Sequence, residues 1–234
     1  MFNSKVFVAE FIGTFALVFI GAGAGITGMS GLFGVAVAHG AVLAVFYYAF
    51  GHISGAHVNP AVTFGLALNG TVKWGEAVFY WIAQFAGGIV AAFTLNLAVG
   101  GVSVDGIGGG ATIGVLTDSA PYAAALVEVI LTFFLVNTIL HTAVAGRGGA
   151  FAGLAIGLTL TFAILTGGAM TGASLNPART FGPAIFTSPS LAVPMTYVIY
   201  LLGPLLGAAL AVGVFKFLNS GETSESSAKK STKR

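Results

Sequence analysis

The chain has 234 residues, 56% of them apolar, and carries only nine Lys or Arg and seven Asp or Glu. Charged residues are 7% of the sequence, against roughly 25% in an ordinary soluble domain. Six of the charges lie in the last fifteen positions, so ten serve the first 219 residues, and lipid rather than water must solvate that stretch.

A net charge of +2 with no basic cluster before the tail leaves nucleic acid no electrostatic footprint. The absence of cysteine excludes disulfides, thiolate catalysis and Cys-ligated metal. Lys5 opens a first apolar run at 6–28. A secretory signal has the same outline, but runs of the ~20 residues that a spanning helix needs recur at 34–51, 76–99, 121–144, 149–167 and 194–218, which makes six spans. Within the first, Gly23-Ala24-Gly25-Ile26-Thr27-Gly28 matches the dinucleotide pattern G-x-G-x-x-G, yet no strand precedes it and the match is discarded. Apolar pieces near 59–69 and 176–186 are too short to cross and suit re-entrant half-helices. The glycines of 100–114 predict a flexible outer loop. Gly149, Gly153 and Gly157, and likewise Gly203 and Gly207, recur every four residues and predict close helix contacts. From Ser220 onward the composition predicts a disordered tail, so residues 1–219 are expected as one membrane domain and 220–234 as its appendage.

Orientation follows from the cations. With the N-terminus inside, Lys5, Lys73, Arg147, Lys216 and the four tail cations all fall on the cytoplasmic side, and so does the C-terminus. Asp105 and Asp118 fall outside, and only Arg179 is left over. The sequence also repeats. A shift of 118 aligns Glu10, Thr14, Phe15 and Leu17 with Glu128, Thr132, Phe133 and Leu135. A shift of 117 aligns Asn59-Pro60-Ala61 with Asn176-Pro177-Ala178, Thr63 with Thr180, and Tyr80 with Tyr197. Each half, about 5–100 and 121–218, holds three spans. The second must enter from the opposite face, an inverted repeat whose site lies near the midplane.

Each short segment begins Asn-Pro-Ala. Asn is a strong N-cap, and Pro at the first helical position loses no hydrogen bond. Inverted symmetry brings the two starts tip to tip, each with roughly half a positive charge from its helix dipole. Such a centre repels cations, and the amides of Asn59 and Asn176 can donate to a water there. The architecture suits a neutral solute.

The segments Ser54-Gly55-Ala56-His57-Val58-Asn59-Pro60-Ala61-Val62-Thr63 and Gly172-Ala173-Ser174-Leu175-Asn176-Pro177-Ala178-Arg179-Thr180-Phe181-Gly182-Pro183 resemble those of the aquaporin or major intrinsic protein family, over residues 5–218. The resemblance implies an all-α membrane protein of six transmembrane helices and two half-helices in an inverted 3+3 repeat, assembled as a homotetramer with one pore per subunit. By spacing it also places four filter positions on His39, Ile164, Ala173 and Arg179. The set is similar to that of plant vacuolar-membrane aquaporins, some of which pass ammonia or urea. Thr180 and Ala184 stand where glycerol facilitators usually carry Asp and a cation, while Leu201 departs from the aromatic common in water-selective members. Arg179 makes physical sense there, because arginine at membrane depth is costly and marks a pathway.

Glu10 and Glu128 are candidates for a proton-coupling pair. The resemblance favours a structural role, bracing the loops into the half-helices. His57, two before Asn59, is expected to order the first loop rather than to act in the pore. His52 and His141 are expected at the interface. No histidine pair has metal spacing. The sequence therefore predicts a passive water channel, with an ammonia or urea facilitator as the near alternative, glycerol less favoured, and a proton-coupled transporter as the distant one. No cofactor or enzymatic chemistry is expected, and the plasma membrane is the expected location.

Overall fold

Helix α1 (Ser4–Ile26) opens the structure, a computed structural model that describes residues 2–26, 28, 30–99 and 110–220. Its start is set by Asn3, whose Oδ1 accepts from the amides of Lys5 (3.0 Å) and Val6 (3.4 Å). Helix α2 (Gly31–Ser54) follows, then half-helix α3 (Pro60–Asn69) and α4 (Trp74–Ala98). A single helical turn, Leu116–Ser119, leads into α5 (Pro121–Val144). Helix α6 (Gly149–Thr171), half-helix α7 (Pro177–Ala184) and α8 (Pro194–Leu218) complete the chain. The six long helices are each apolar and long enough to cross a bilayer. Two of them contain π-turns, Leu140–Val144 in α5 and Val198–Leu202 in α8.

The predicted boundaries hold to within a few residues, with one instructive difference. The Gly167-Gly168 pair does not stop α6, which continues to Thr171. Gly167 lies against Leu131 of α5 and Gly168 against Leu32 of α2, so both are helix-contact glycines. The helix stops at Gly172, whose left-handed φ of 83° is the ordinary C-terminal device. Gly55 (φ 86°) ends α2 in the same way.

Packing obeys the repeat. Helix α1 packs on α2 and α4, α5 packs on α6 and α8, and each half-helix lies against the third span of the other half, α3 on α8 and α7 on α4. The halves are therefore interlocked. Glycines make the crossings close. A Cβ on Gly88 of α4 would sit 2.6 Å from the Ala178 carbonyl oxygen of α7, and one on Gly182 would sit 2.6 Å from Gly88. Gly40 of α2 and Gly157 of α6 face each other's carbonyl groups. Large apolar residues such as Phe134, Phe162 and Leu210 are exposed on the outside, as lipid solvation requires.

Three expectations are corrected. Gly149 takes no part in the helix-contact stripe, since nothing lies within 4 Å of its missing Cβ. The loop glycines Gly110 and Gly114 are packed, the first against Ala22 and the second against the Met170–Thr171 backbone, while 100–109, with Asp105, lie outside the described residues. The third spans align at a shift of 120, because α4 starts at Trp74 and α8 at Pro194. The structural partner of Tyr80 is accordingly Tyr200. Tyr80 Oη donates to the Ser54 carbonyl (2.7 Å) and Tyr200 Oη to the matching Thr171 carbonyl (2.8 Å), whereas Tyr197 bonds Leu191. The expected tail at 220–234 falls outside the described residues from 221 onward.

Candidate functional site: a pore between two half-helices

The loops 55–59 and 172–176 carry an unusual backbone. Ala56 and Val58 have φ of 48° and 45°, and Ala173 and Leu175 have φ of 42° and 54°. A left-handed conformation costs an L-residue roughly 1–2 kcal/mol, and a β-branched valine is a genuine outlier there. The same two positions recur in both halves at a shift of 117, so the strain belongs to the design of the site.

Two buried carboxylates hold these loops. Glu10 Oε1 accepts from Ser54 Oγ (2.7 Å) and the His57 amide (2.9 Å), and its Oε2 accepts from the Val58 amide (2.7 Å) and Gln84 Nε2 (2.8 Å). Glu128 Oε1 accepts from Thr171 Oγ1 (2.7 Å) and the Ser174 amide (2.9 Å), and its Oε2 from the Leu175 amide (2.8 Å). Both side chains are fully buried. With the loop N–H groups drawn toward the carboxylates, Gly55 to Asn59 and Ser174 to Asn176 line the adjacent cavity. His57 sits inside this scaffold. Its Nδ1 meets Thr63 Oγ1 (3.1 Å), its ring stacks on Tyr80 at 4.5 Å, and Ser174 with Thr180 repeats the His57–Thr63 contact in the second half (2.5 Å).

Asn59 and Asn176 then meet across the pseudo-symmetry axis. Each Oδ1 caps its own half-helix, Asn59 for the Ala61 amide and Asn176 for the amides of Ala178 and Arg179. Each Nδ2 donates to the other half, Asn59 to the Leu175 carbonyl (2.8 Å) and Asn176 to the Val58 carbonyl (2.9 Å). One N–H on each amide remains, and both residues line the cavity.

That cavity, of about 250 Å³, is also lined by apolar residues including Leu17, Val62, Leu135 and Ile156. A second cavity of about 260 Å³ is lined by Gly21, Gly25, Ile164, Gly168 and Gly172 among others. Arg179 lines both. Its guanidinium is nearly buried and Nη1 donates to the Gly110 carbonyl (2.7 Å). Of the four filter candidates, His39 lines the first cavity, Ile164 the second and Arg179 both; Ala173 is buried, with its Cβ turned toward Gly167.

Gln84, Gly110, Thr117 and Tyr200 escaped the sequence reading. Tyr200 Oη also meets Thr117 Oγ1 (2.8 Å), which ties the outer turn to the second loop. The repeat pairs Thr63 with Thr180, but nothing local marks a carbonyl acceptor such as Gly110. Among the described residues no group of three His, Cys, Asp or Glu could hold a metal. His52 is exposed, and His141 is half-buried with Nδ1 on the Asn137 carbonyl.

The sequence model of the major intrinsic proteins matches residues 1–215. The chain belongs to the major intrinsic protein family. It is 39% identical over 233 residues to a probable aquaporin TIP1-2 of Oryza sativa subsp. japonica, a match covering 94% of this chain and 88% of that one. It is 38% identical to aquaporin TIP1-1 of Arabidopsis thaliana, covering 92% and 88%. The fold is also that of the aquaglyceroporin from Plasmodium falciparum, with a TM-score of 0.81 over 91% of this chain and 95% of that one at 23% identity. As a major intrinsic protein the chain is an integral multi-pass channel and not an enzyme.

Proposed function

We propose that this major intrinsic protein conducts water passively, in single file, through a pore within one subunit. The observation that carries the reading is that the donors Asn59, Asn176 and Arg179 line one largely apolar cavity and Arg179 also lines a second. A water passing the centre accepts from the remaining N–H of each Asn through its oxygen. Its own hydrogens then point away along the file, and a proton cannot be relayed. The half-helix dipoles and the Arg179 charge raise the barrier for cations. His39, Ile164, Ala173 and Arg179 form the filter in this reading. His39 Nδ1 is 2.9 Å from the Val35 carbonyl, so that nitrogen carries the proton and Nε2 is an acceptor opposite the arginine.

The relatives named aquaporins support water as the permeant. The half-apolar ring makes ammonia and urea the next solutes to try. Homotetrameric assembly and cytoplasmic termini belong to the same proposal. The plasma-membrane expectation is given up, because the TIP-type relatives lend it no support.

Stopped-flow light scattering on proteoliposomes tests the reading. Osmotic water permeability well above that of empty vesicles, independent of pH and membrane potential, is expected. Permeability no greater than that of empty vesicles, or solute accumulation against a gradient, would overturn it.

A further inference from the structure

We propose that Gly21 of α1 is a positioning residue for the filter, which sets the width of the pore by letting the His39 ring lie flat against the helix backbone. The inference rests on the water-channel reading and names a determinant of its selectivity outside the four lining positions.

The geometry is specific. A Cβ built on Gly21 would lie within 2.6 Å of three contiguous atoms of the His39 ring, Nε2, Cδ2 and Cε1. A point approaching the ring edge in its plane would be much closer to one of these atoms than to its neighbours. Near-equal distances to all three place the missing Cβ over the ring face. The imidazole is therefore stacked on the glycine, and any side chain at position 21 occupies the same space.

His39 cannot retreat in another direction at no cost. Its Nδ1 is held by the Val35 carbonyl one turn back, the residue is almost wholly buried, and Nε2 has no protein partner among the described residues. The ring lines the cavity that contains Arg179. Gly21 lies on the pore-facing stripe of α1, with Leu17 lining one cavity and Gly21 and Gly25 the other. A ring displaced from Gly21 has the pore as the open side.

The repeat supplies an internal control. The shift that aligns Glu10 with Glu128 and Leu17 with Leu135 aligns Gly21 with Ile139. Ile139 is buried and lines the pore as well. The fold thus accommodates a large branched side chain at this helical position, and the requirement for glycine in the first half comes from His39.

Ordinary van der Waals contact needs about 3.5 Å between carbons, so a methyl at position 21 moves the ring by about 1 Å. The test compares Gly21→Ala, His39→Ala and Gly21→Ala/His39→Ala with the wild-type chain in proteoliposomes of known protein content. Osmotic water permeability and urea uptake are measured on the same vesicles. Gly21→Ala is expected to lower water permeability about tenfold, a barrier change readable by transition-state arithmetic, and to lower urea uptake by a larger factor. Added to His39→Ala, the same substitution should change both rates less than about twofold, because the ring that it strikes is gone. A crystal or cryo-EM structure of Gly21→Ala should show the ring displaced toward Arg179, a readout independent of conduction.

Unchanged permeabilities in Gly21→Ala, or equal losses with and without His39, would overturn the inference. If Gly21→Ala fails to fold while the double variant folds and conducts, the steric link to His39 stands. If both fail, it falls. A wild-type chain without water permeability would sink the channel reading instead, and the ring displacement would still decide the role of Gly21.

Discussion

Replacing each buried carboxylate with its amide should separate the two halves of the channel by stability. In Glu128→Gln the retained oxygen can keep Thr171 Oγ1 and the Ser174 amide, but the new NH₂ group faces the Leu175 N–H and leaves it without an acceptor. An orphaned buried donor costs about 1–3 kcal/mol. In Glu10→Gln the substituted side faces two donors, the Val58 amide and Gln84 Nε2. Gln84 can turn its unpaired Oε1 toward the new amide, yet doing so withdraws Nε2 from Thr63 Oγ1. One orphan and one broken side-chain bond add up to about 2–4 kcal/mol. Glu10→Gln should therefore unfold at a lower temperature than Glu128→Gln, and both below wild type, by roughly 2–4 °C per kcal/mol. Thermal unfolding in one detergent, with circular dichroism and intrinsic fluorescence as coincident probes, measures the order. Water permeability should fall in both, since the left-handed loop residues lose an anchor. Equal midpoints, or Glu128→Gln as the less stable variant, would refute the reasoning. Wild-type stability in both, with loss of transport, would return the carboxylates to the proton-coupling role.

Arg179→Ala removes the guanidinium shared by the two cavities; glycerol and urea uptake should rise severalfold on the barrier arithmetic, and unchanged selectivity in flux assays would count against the filter assignment. Tyr200→Phe frees the Thr171 carbonyl and Thr117 Oγ1 from their common hydroxyl, so it should cost about 1–3 kcal/mol of stability, measured as the shift in unfolding midpoint. The chain has no cysteine, so mercurial reagents should leave osmotic permeability unchanged over minutes of exposure.

The fold was legible because lipid enforces it. Ten charges in 219 residues fix the solvent, and the lengths of the apolar runs fix the crossings. The Asn-Pro pairs were legible for a local reason: a cap and a proline at the first helical position state a helix start without reference to anything distant. The site beyond them depends on contacts between residues far apart in the chain. Arg179 meets a backbone carbonyl of Gly110, sixty-nine positions away, and any residue type could offer that oxygen. Glycines misled in both directions for the same cause. Sequence alone predicts an end of the fifth span at Gly167 and a flexible loop from the glycines of 100–114, but neighbours in space, Leu131 for Gly167, Leu32 for Gly168 and Ala22 for Gly110, decide what each does.

The register of the last span shows how the inverted repeat breaks. Matching tyrosines at a shift of 117 concealed the true offset, because Tyr197 and Tyr200 sit one turn apart on α8 and only one can meet the Thr171 carbonyl. The offset of 120 is corroborated at the helix crossings: a Cβ on Gly87 would strike the Phe11 carbonyl, and one on Gly207 the Val129 carbonyl, its counterpart at the shift that relates α1 to α5. At that offset the counterpart of Gln84 is Pro204, which has no N–H to give. A proline thus stands in the second half where the first has a donor. It leaves Glu128 with three hydrogen bonds where Glu10 has four. The two half-helices are related by symmetry in their backbones, but the side chains that hold them are not, and the first loop, carrying His57, is the more heavily anchored.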